Sequence, residues 1–193
     1  MTDVPTTSRI ASAALRILVE EGSAAVTMRR VATAVGVTPM AIYKHYPSRQ
    51  ALLTTVADEA FREIGSTWEK HAPDGDLKVR IQGMLTNFLD FALGKPNLYA
   101  FLLTDRREHA RRFPDDFTDG RSPTFSPIFD VVQQCMRDGI LRVDDPVEVT
   151  LALTASTQGL VQLYLGGRIG LPEAEFRELC LRTVWRIFDG IKI

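Results

Sequence analysis

The chain has 193 residues, 45% of them hydrophobic, and a formal net charge of −1. That is enough apolar material for a sizeable core, in one domain or in a small domain carried on a larger one. The near-neutral balance excludes a generally basic nucleic-acid coat protein, so any anionic partner has to be met by a local patch.

In chain order, the apolar period is helical almost throughout. Ile10, Ala13, Ala14, Ile17 and Leu18 share one face behind a Thr7/Ser8 cap candidate, and Gly22 stands where a helix would stop, predicting a first helix over 8–21. Thr27 can cap a second helix that runs through Val35, and Gly36 supplies the permissive backbone for a sharp turn. Thr38 followed by Pro39 reads as an N-cap with proline at the first helical position, which predicts a third helix over 39–46. Pro47 and Ser48 end it and open a fourth, whose stripe of Leu52, Val56, Ala60, Ile64 and Trp68 carries it towards His71.

Beyond the break "HAPDGD" at 71–76, helical patterns recur at 77–93, 96–110, 124–138, 146–166 and 173–190, with no competing strand pattern. The expected fold is all-α with about nine helices, a small N-terminal module and a larger helical body. The expected division is a module over 1–47, a connecting helix over 48–71 and a body over 72–193.

From Gly22 to Ala57 there is no Asp or Glu, while Arg29, Arg30, Lys44 and Arg49 are basic and His45 can add partial charge. Two helices joined by a short glycine-containing turn describe a helix-turn-helix, whose second helix enters the DNA major groove. Ala32 is small where the two helices must cross, and Val31, Val35, Val37 and Ile42 can form their shared apolar contact. A carboxylate in this segment would face a polyanion, which accounts for the absence of acids. Lys44 can donate to guanine O6 or N7, and Met40 and Ala41 can pack on a thymine methyl. Tyr43, His45 and Arg49 are donors suited to phosphate oxygens, as are the first N–H groups after Ser48. Tyr46 reads as a core aromatic. Of the adjacent Arg29 and Arg30, one is expected to point at solvent or to pair with an acidic residue on the body, and Arg29 is the expected contact.

The run "AALRILVEEGSAAVTMRRVATAVGVTPMAIYKHYPSRQALL" resembles the N-terminal domain of the tetracycline-repressor (TetR) family of bacterial transcription regulators. The likeness rests on the Thr-Met-Arg start, the Val-Gly-Val turn, the Tyr-x-His-Tyr recognition helix and the Leu-Leu that follows. It covers about the first 60 residues. The later "DPVEVTLALTASTQGLVQLYLGG" is weakly similar to the family's ligand-binding and dimerising domain. Some members carry a Trp, a His and a Gly in that helix; here Gly159 is present and Gln158 stands where the His would be. The resemblance implies that Thr38, Pro39, Met40, Ala41 and Lys44 face base edges. It also implies that Tyr43, His45 and Arg49 hold phosphates, with Thr27 and Arg29 assisting.

One recognition helix reaches few base pairs, so symmetric pairing is expected, with half-sites about 34 Å apart or a multiple of that. The helices over 146–166 and 173–190 are apolar on most sides and are the candidates for a homodimer bundle, the alternative being the interior of a monomer. Eight of the ten phenylalanines lie between Phe61 and Phe129. Trp68, Phe88, Phe91, Tyr99, Phe125, Phe129 and Gln158 are therefore candidates to line an effector site, although such a cluster is usually core. An effector there would tilt helix four and change the separation of two reading heads. The segment "RREHARR" at 106–112 reads as a solvated helix end and "GGRIG" at 166–170 as a helix C-cap.

Cys135 and Cys180 stand alone, with no CxxC and no Cys/His cluster at metal-ligand spacing, so neither a disulfide framework nor a metal site is indicated and both read as core thiols. No nucleophile elbow or phosphate loop is present, so no enzyme and no cofactor is expected. The first residues lack a secretory leader pattern and no apolar run approaches the roughly 18 residues that span a bilayer, which predicts a cytoplasmic chain with no membrane partner. The leading expectation is a ligand-responsive homodimeric repressor that binds a palindromic double-stranded DNA operator and is released by a small apolar or amphipathic effector. The alternative is a DNA-binding regulator or architectural factor without a small-molecule response.

Overall fold

The computed structural model describes residues 5–70, 76–107, 110, 112, 116, 122 and 124–192. Among them nine α-helices follow one another: α1 (Thr6–Glu21), α2 (Met28–Val35), α3 (Pro39–Tyr43), α4 (Arg49–Lys70), α5 (Leu77–Gly94), α6 (Pro96–Tyr99), α7 (Ser126–Arg137), α8 (Pro146–Leu165) and α9 (Glu173–Gly190). Strand-like geometry among the described residues is confined to one antiparallel bridge, Leu141 with Lys192. No described helix is long and apolar enough to cross a membrane.

The helix limits follow from local chemistry. Thr27 caps α2 by accepting from the Arg30 N–H at 3.2 Å, and Thr38 caps α3 by accepting from the Ala41 N–H at 3.3 Å. Between them Gly36 takes a left-handed conformation at φ 74° and closes α2 through the carbonyls of Ala32 and Thr33. Ser48 opens α4 by accepting from the Ala51 N–H at 3.0 Å. Two boundaries differ from expectation. α1 begins at Thr6, with Pro5 as its uncapped leading residue, so Thr7 and Ser8 lie inside its first turn. α3 stops at Tyr43: Lys44 is its C-cap in helical geometry, and the N–H groups of His45 and Tyr46 both close onto the Ile42 carbonyl ahead of Pro47.

The largest departure is at 96–110, expected as one helix. α6 passes at once into a π-helical turn, Ala100–Thr104, which ends where Asp105 becomes extended. The chain then carries Arg107 inwards: its guanidinium donates to the Leu102 carbonyl at 2.9 Å and lies over the rings of Phe101 and Phe61, at 5.1 and 5.9 Å. At this residue the segment is not a solvated helix end, since a guanidinium stacked on two aromatic faces is held by them. Glu108, His109, Arg111 and most of "FPDDFTDG" lie outside the described residues.

Two compact units result, Met1–Glu63 with Lys95–Ala110 and Ile64–Gly94 with Arg111–Ile193. The first is centred on Ile10, Ala14, Leu18, Val31, Ala32, Ile42, Leu52 and Val56, all buried. α6 belongs to it, because α6 packs on α1 and Asn97 donates to the Val19 carbonyl at 3.0 Å. In the second, α8 packs against α5, α7 and α9 around Leu89, Val132, Val161, Phe176 and Phe188. Phe176 stacks on Tyr164 with centroids 4.0 Å apart. Gly167, at φ 68°, and the bond from the Arg168 N–H to the Leu163 carbonyl end α8, so "GGRIG" is a helix terminus as expected.

Candidate nucleic-acid interface

α2 and α3 meet through side chains that the sequence pattern marks as apolar. Val31 and Ile42 are 0% exposed and Ala32 is 1% exposed, so the crossing needs a small residue at 32 and leaves no room there for polar groups. Tyr46 joins this core: its ring is buried and its hydroxyl donates to the Thr7 carbonyl at 3.3 Å. Burial, with a smaller contribution from Glu59, raises its ionisation above the usual tyrosine range.

With Ile42 turned inwards, α3 turns the opposite side outwards. Thr38, Pro39, Met40, Tyr43, Lys44 and His45 are exposed, Met40 by 71% and Tyr43 by 47%, while Ala41 is half-buried. Thr27 and Arg29 are exposed at the start of α2. The structure thus brings together, on one unit, all of the residues expected to meet DNA, and places no carboxylate among them between Gly22 and Ala57.

The two adjacent arginines differ. Arg30 forms an ion pair with Glu21 at the end of α1, whereas no ion pair engages Arg29 or Lys44 among the described residues. Arg49, expected to hold a phosphate, is engaged with two backbone carbonyls. Its guanidinium donates to the Val26 carbonyl at 2.6 Å and to the Ser23 carbonyl, tying the start of α4 to the connection between α1 and α2. Ser23–Ala25 forms a single 3-10 turn in which the Ser23 carbonyl also accepts from the Val26 N–H, and the fork of an arginine reaches that carbonyl and the Val26 carbonyl at once.

Sequence reasoning missed a second tie of this kind. Arg9 on α1 donates to the Val35 carbonyl at the end of α2, 26 residues away, at 3.2 Å. A cation at a helix C-terminus is favourable, but nothing in the local pattern says which arginine will reach it.

The residues expected around an effector are spread over both units. Trp68 and Phe88 meet edge to face at 6.5 Å, and Phe125 and Phe129 stack at the same separation, all within the second unit. Phe91 lies one turn from Phe88 on α5, and Gln158 is half-buried on α8. Tyr99 belongs to the first unit, is 1% exposed, and has its hydroxyl pushed up to about 12 by burial. Phe113 and Phe117, part of the same aromatic run, lie outside the described residues. Cys135 and Cys180 are buried thiols, and burial holds the ionisation of Cys180 up at about 11.

Comparison with known proteins gives the arrangement its context. Residues 10–56 match the model of bacterial regulatory proteins of the tetR family, and residues 81–184 match the model of the tetracyclin repressor-like C-terminal domain. Among curated relatives, the nucleoid occlusion factor SlmA of Marinobacter nauticus is 26% identical over 190 residues, 91% of this chain and 94% of that protein. SlmA of Klebsiella pneumoniae is 27% identical over 150 residues, 75% and 72% of the two chains.

Among solved structures, a Rhodococcus sp. RHA1 protein of unknown function superposes with a TM-score of 0.80 at 19% identity, covering 100% of this chain and 97% of that one. The regulator FadR of Bacillus subtilis, solved with stearoyl-CoA, superposes with a TM-score of 0.73 at 14% identity, covering 95% and 98%. At these identities the structural likeness establishes the fold. With both family models matched over most of its length, the chain belongs to the TetR family and is a DNA-binding transcriptional regulator, not an enzyme.

Proposed function

We propose that this regulator is a homodimeric repressor that binds a palindromic double-stranded DNA operator and is released when a small apolar or amphipathic effector binds. The observation that carries the reading is the outward face of α3, exposed and acid-free beside Arg29 on a segment whose opposite face is fully buried. In this reading Thr38, Pro39, Met40, Ala41 and Lys44 meet base edges, and Thr27, Arg29, Tyr43 and His45 meet phosphates. Arg49 positions α2 from behind through Ser23 and Val26. The functional division is a reading head over 1–47, a connecting helix over 48–71 and an effector and dimer region over 72–193.

Pairing is supported by the surface of α8, where Leu163 and Leu165 are 42% and 41% exposed and Ala152 and Ala155 are also exposed on a single copy. A second copy would cover this apolar surface in a four-helix arrangement with α9. Effector binding is assigned to the second unit, around Trp68, Phe88, Phe91, Phe125, Phe129 and Gln158, which leaves Tyr99 outside the set. α4 carries Trp68 near one end and Arg49 at the other, so a ligand that moves this helix acts on the connection behind α2. A coupling of ~1–3 kcal/mol makes a usable switch.

Selection of bound duplexes from a random DNA library at about 0.15 M salt tests the reading, because nonspecific phosphate binding is weakened there. An inverted repeat is expected; failure to enrich any motif would remove the operator-binding claim. Sedimentation at micromolar concentration should give the mass of two chains.

A second reading has its own support in the similarity to nucleoid occlusion factors, which covers 91% of the chain. It makes the protein a DNA-binding factor without a small-molecule response. Thermal shift against metabolites, with long-chain acyl-CoA thioesters included because of the FadR likeness, separates the two. A ligand at about 100 times its Kd stabilises by ~2.7 kcal/mol, and a screen with no stabilised hit favours the second reading.

A further inference from the structure

Two buried hydroxyls of the second unit bond back along their own helix. Thr150 donates to the Pro146 carbonyl at 2.7 Å and Thr157 to the Leu153 carbonyl at 3.1 Å, each four residues earlier. Ser126, at the start of α7, departs from this pattern. Its Oγ is buried and makes no hydrogen bond to any protein group among the described residues. The carbonyl four residues back, that of Ser122, already accepts from the N–H groups of Phe125 at 3.1 Å and of Ser126 itself at 2.9 Å. A carbonyl oxygen has two lone pairs, so a third bond has no place there. The Phe125 carbonyl is filled in the same way, by the N–H groups of Ile128 and Phe129. Pro127, next in the chain, has no N–H to offer. A buried hydroxyl without a partner is unfavourable, and folded proteins keep few of them.

The place of this hydroxyl gives it a use. In the chain Ser126 lies between Phe125 and Phe129, whose rings stack, and Phe129 is its neighbour one turn on. Both rings belong to the aromatic group assigned above to the effector. Resting on that assignment, we infer that the Ser126 hydroxyl is the hydrogen-bonding contact of the effector site, and that the effector is an apolar body carrying a neutral oxygen, a carbonyl or a hydroxyl. The aromatic lining calls for the apolar body. A serine hydroxyl both donates and accepts, so it serves either oxygen. The oxygen is neutral because the side chains assigned to the site, aromatic rings and the Gln158 amide, bring no charge. A carboxylate taken out of water against one hydroxyl would be heavily penalised. A matching ligand satisfies the hydroxyl, whereas a hydrocarbon of the same shape leaves it unpaired, and that difference is a basis for selectivity.

The test uses the full chain, isotope-labelled for NMR, and three probes of nearly one shape: acetophenone with a neutral carbonyl, cumene with no polar group, and benzoate with a charge. Binding is followed at the indole N–H of Trp68, and Trp185 on α9 is the internal control. Wild-type protein is expected to bind acetophenone about five-fold more tightly than cumene, the effect of one hydrogen bond, and to bind benzoate more weakly than acetophenone. Ser126→Ala should bind acetophenone and cumene alike, and Ser126→Thr, which keeps the hydroxyl, should retain the preference. Without ligand, Ser126→Ala should melt no lower than wild type, since it gives up no hydrogen bond.

A lowered melting midpoint in Ser126→Ala would overturn the inference by showing that the hydroxyl already has a partner. So would equal affinity of wild type for acetophenone and cumene, tighter binding of benzoate than of acetophenone, or a carbonyl preference that survives in Ser126→Ala. In each of these cases a response at Trp68 leaves the effector-site assignment standing. If none of the three probes moves the Trp68 signal of wild type, that assignment and this inference fall together.

Discussion

α2 and α3 have only 8 and 5 residues, and their ends are held by Thr27, Gly36 and Thr38, whereas α9, with 18 residues, is held mainly by what it buries, and α8, with 20, adds burial to its Asp145 cap. The contrast is physical. A helix of one or two turns cannot repay its own nucleation, so each unpaired terminal group needs a local partner. A long helix recovers that cost by packing: α9 starts after Pro172 with no side-chain cap, yet buries Phe176, Cys180, Val184 and Phe188. Charge divides in the same way. The second unit neutralises its surface internally, Arg177 with Glu173 and Asp90, Arg182 with Glu178, and Lys192 with Asp189. Among the described residues, the reading head gives Arg29 and Lys44 no such ion pair, which suits a surface meant to meet another molecule's charge.

The sharpest way to break this comparison is to damage each unit's core separately. Phe176→Ala removes a fully buried ring stacked on Tyr164 and should cost about 3–5 kcal/mol, and Ile42→Ala should cost about 2–5 kcal/mol. The expected phenotypes differ. Ile42→Ala loses specific DNA binding while the sedimenting mass is unchanged, and Phe176→Ala lowers the thermal midpoint and the fraction of the proposed homodimer. If Ile42→Ala also dissociated the dimer, the two units would not be separable in function.

A pH titration tests how completely the first unit buries Tyr99 of α6. Burial pushes the Tyr99 hydroxyl up to about 12. An unfolded tyrosine ionises near 10, so the folded state keeps its proton over a window in which the unfolded state has lost it. Stability from this group is therefore complete below pH 10 and is lost as pH rises towards 12. Tyr99→Phe should be spared about 2 kcal/mol of the alkaline loss seen in the parent, measured by urea unfolding at pH 9 and pH 11.5. Equal losses in the two proteins would place Tyr99 in a wetter site than its 1% exposure describes.

How much of this was legible beforehand depends on the range of the signal. Thr27, Gly36, Thr38 and Ser48 act within three or four residues, so their spacing alone located α2, the turn, α3 and the start of α4. The same holds for Ile42 and Tyr46, whose inward direction follows from helical period. What the sequence did not show was which partner a long side chain would find across the fold. Arg49 reaches Ser23, Arg9 reaches Val35 and Asn97 reaches Val19, over separations of 26 to 78 residues. The expected helix over 96–110 failed for a related reason: its apolar period continues, but Arg107 is drawn between Phe61 and Phe101, and the backbone turns to deliver it. The effector residues were the least legible, because Tyr99 and Phe88 look alike in composition and belong to different units.

Arg49 sharpens the comparison further, because its charge and position predict a phosphate ligand while its guanidinium is engaged with two carbonyls. Arg49→Ala should destabilise the reading head by about 1–2 kcal/mol through the loss of two charge-assisted hydrogen bonds, discounted for their exposed setting. Its operator affinity should fall at all salt concentrations with the dependence on log salt unchanged. A slope shallower by nearly one would show that the guanidinium also neutralises a phosphate.

The smallest effects come from the adjacent pair Arg29 and Arg30, and they decide whether exposed charge in the head is functional or merely solvated. Arg30 and Glu21 form an ion pair with both side chains more than 40% exposed, so Arg30→Ala should change stability by less than about 1 kcal/mol. With its charge already met by Glu21, its removal should also leave the salt slope of operator binding nearly constant. Arg29→Ala should leave the thermal midpoint where it is and reduce the salt slope by about 0.9, as expected when one phosphate is no longer neutralised, with affinity weakened almost equally across operator sequences. Glu21→Ala then separates charge from position: it releases Arg30 beside Arg29 and should strengthen binding most at low salt, where screening is weakest. If Glu21→Ala left binding untouched and Arg30→Ala weakened it as much as Arg29→Ala, the acid-free surface would extend past the ion pair and both arginines would face the duplex.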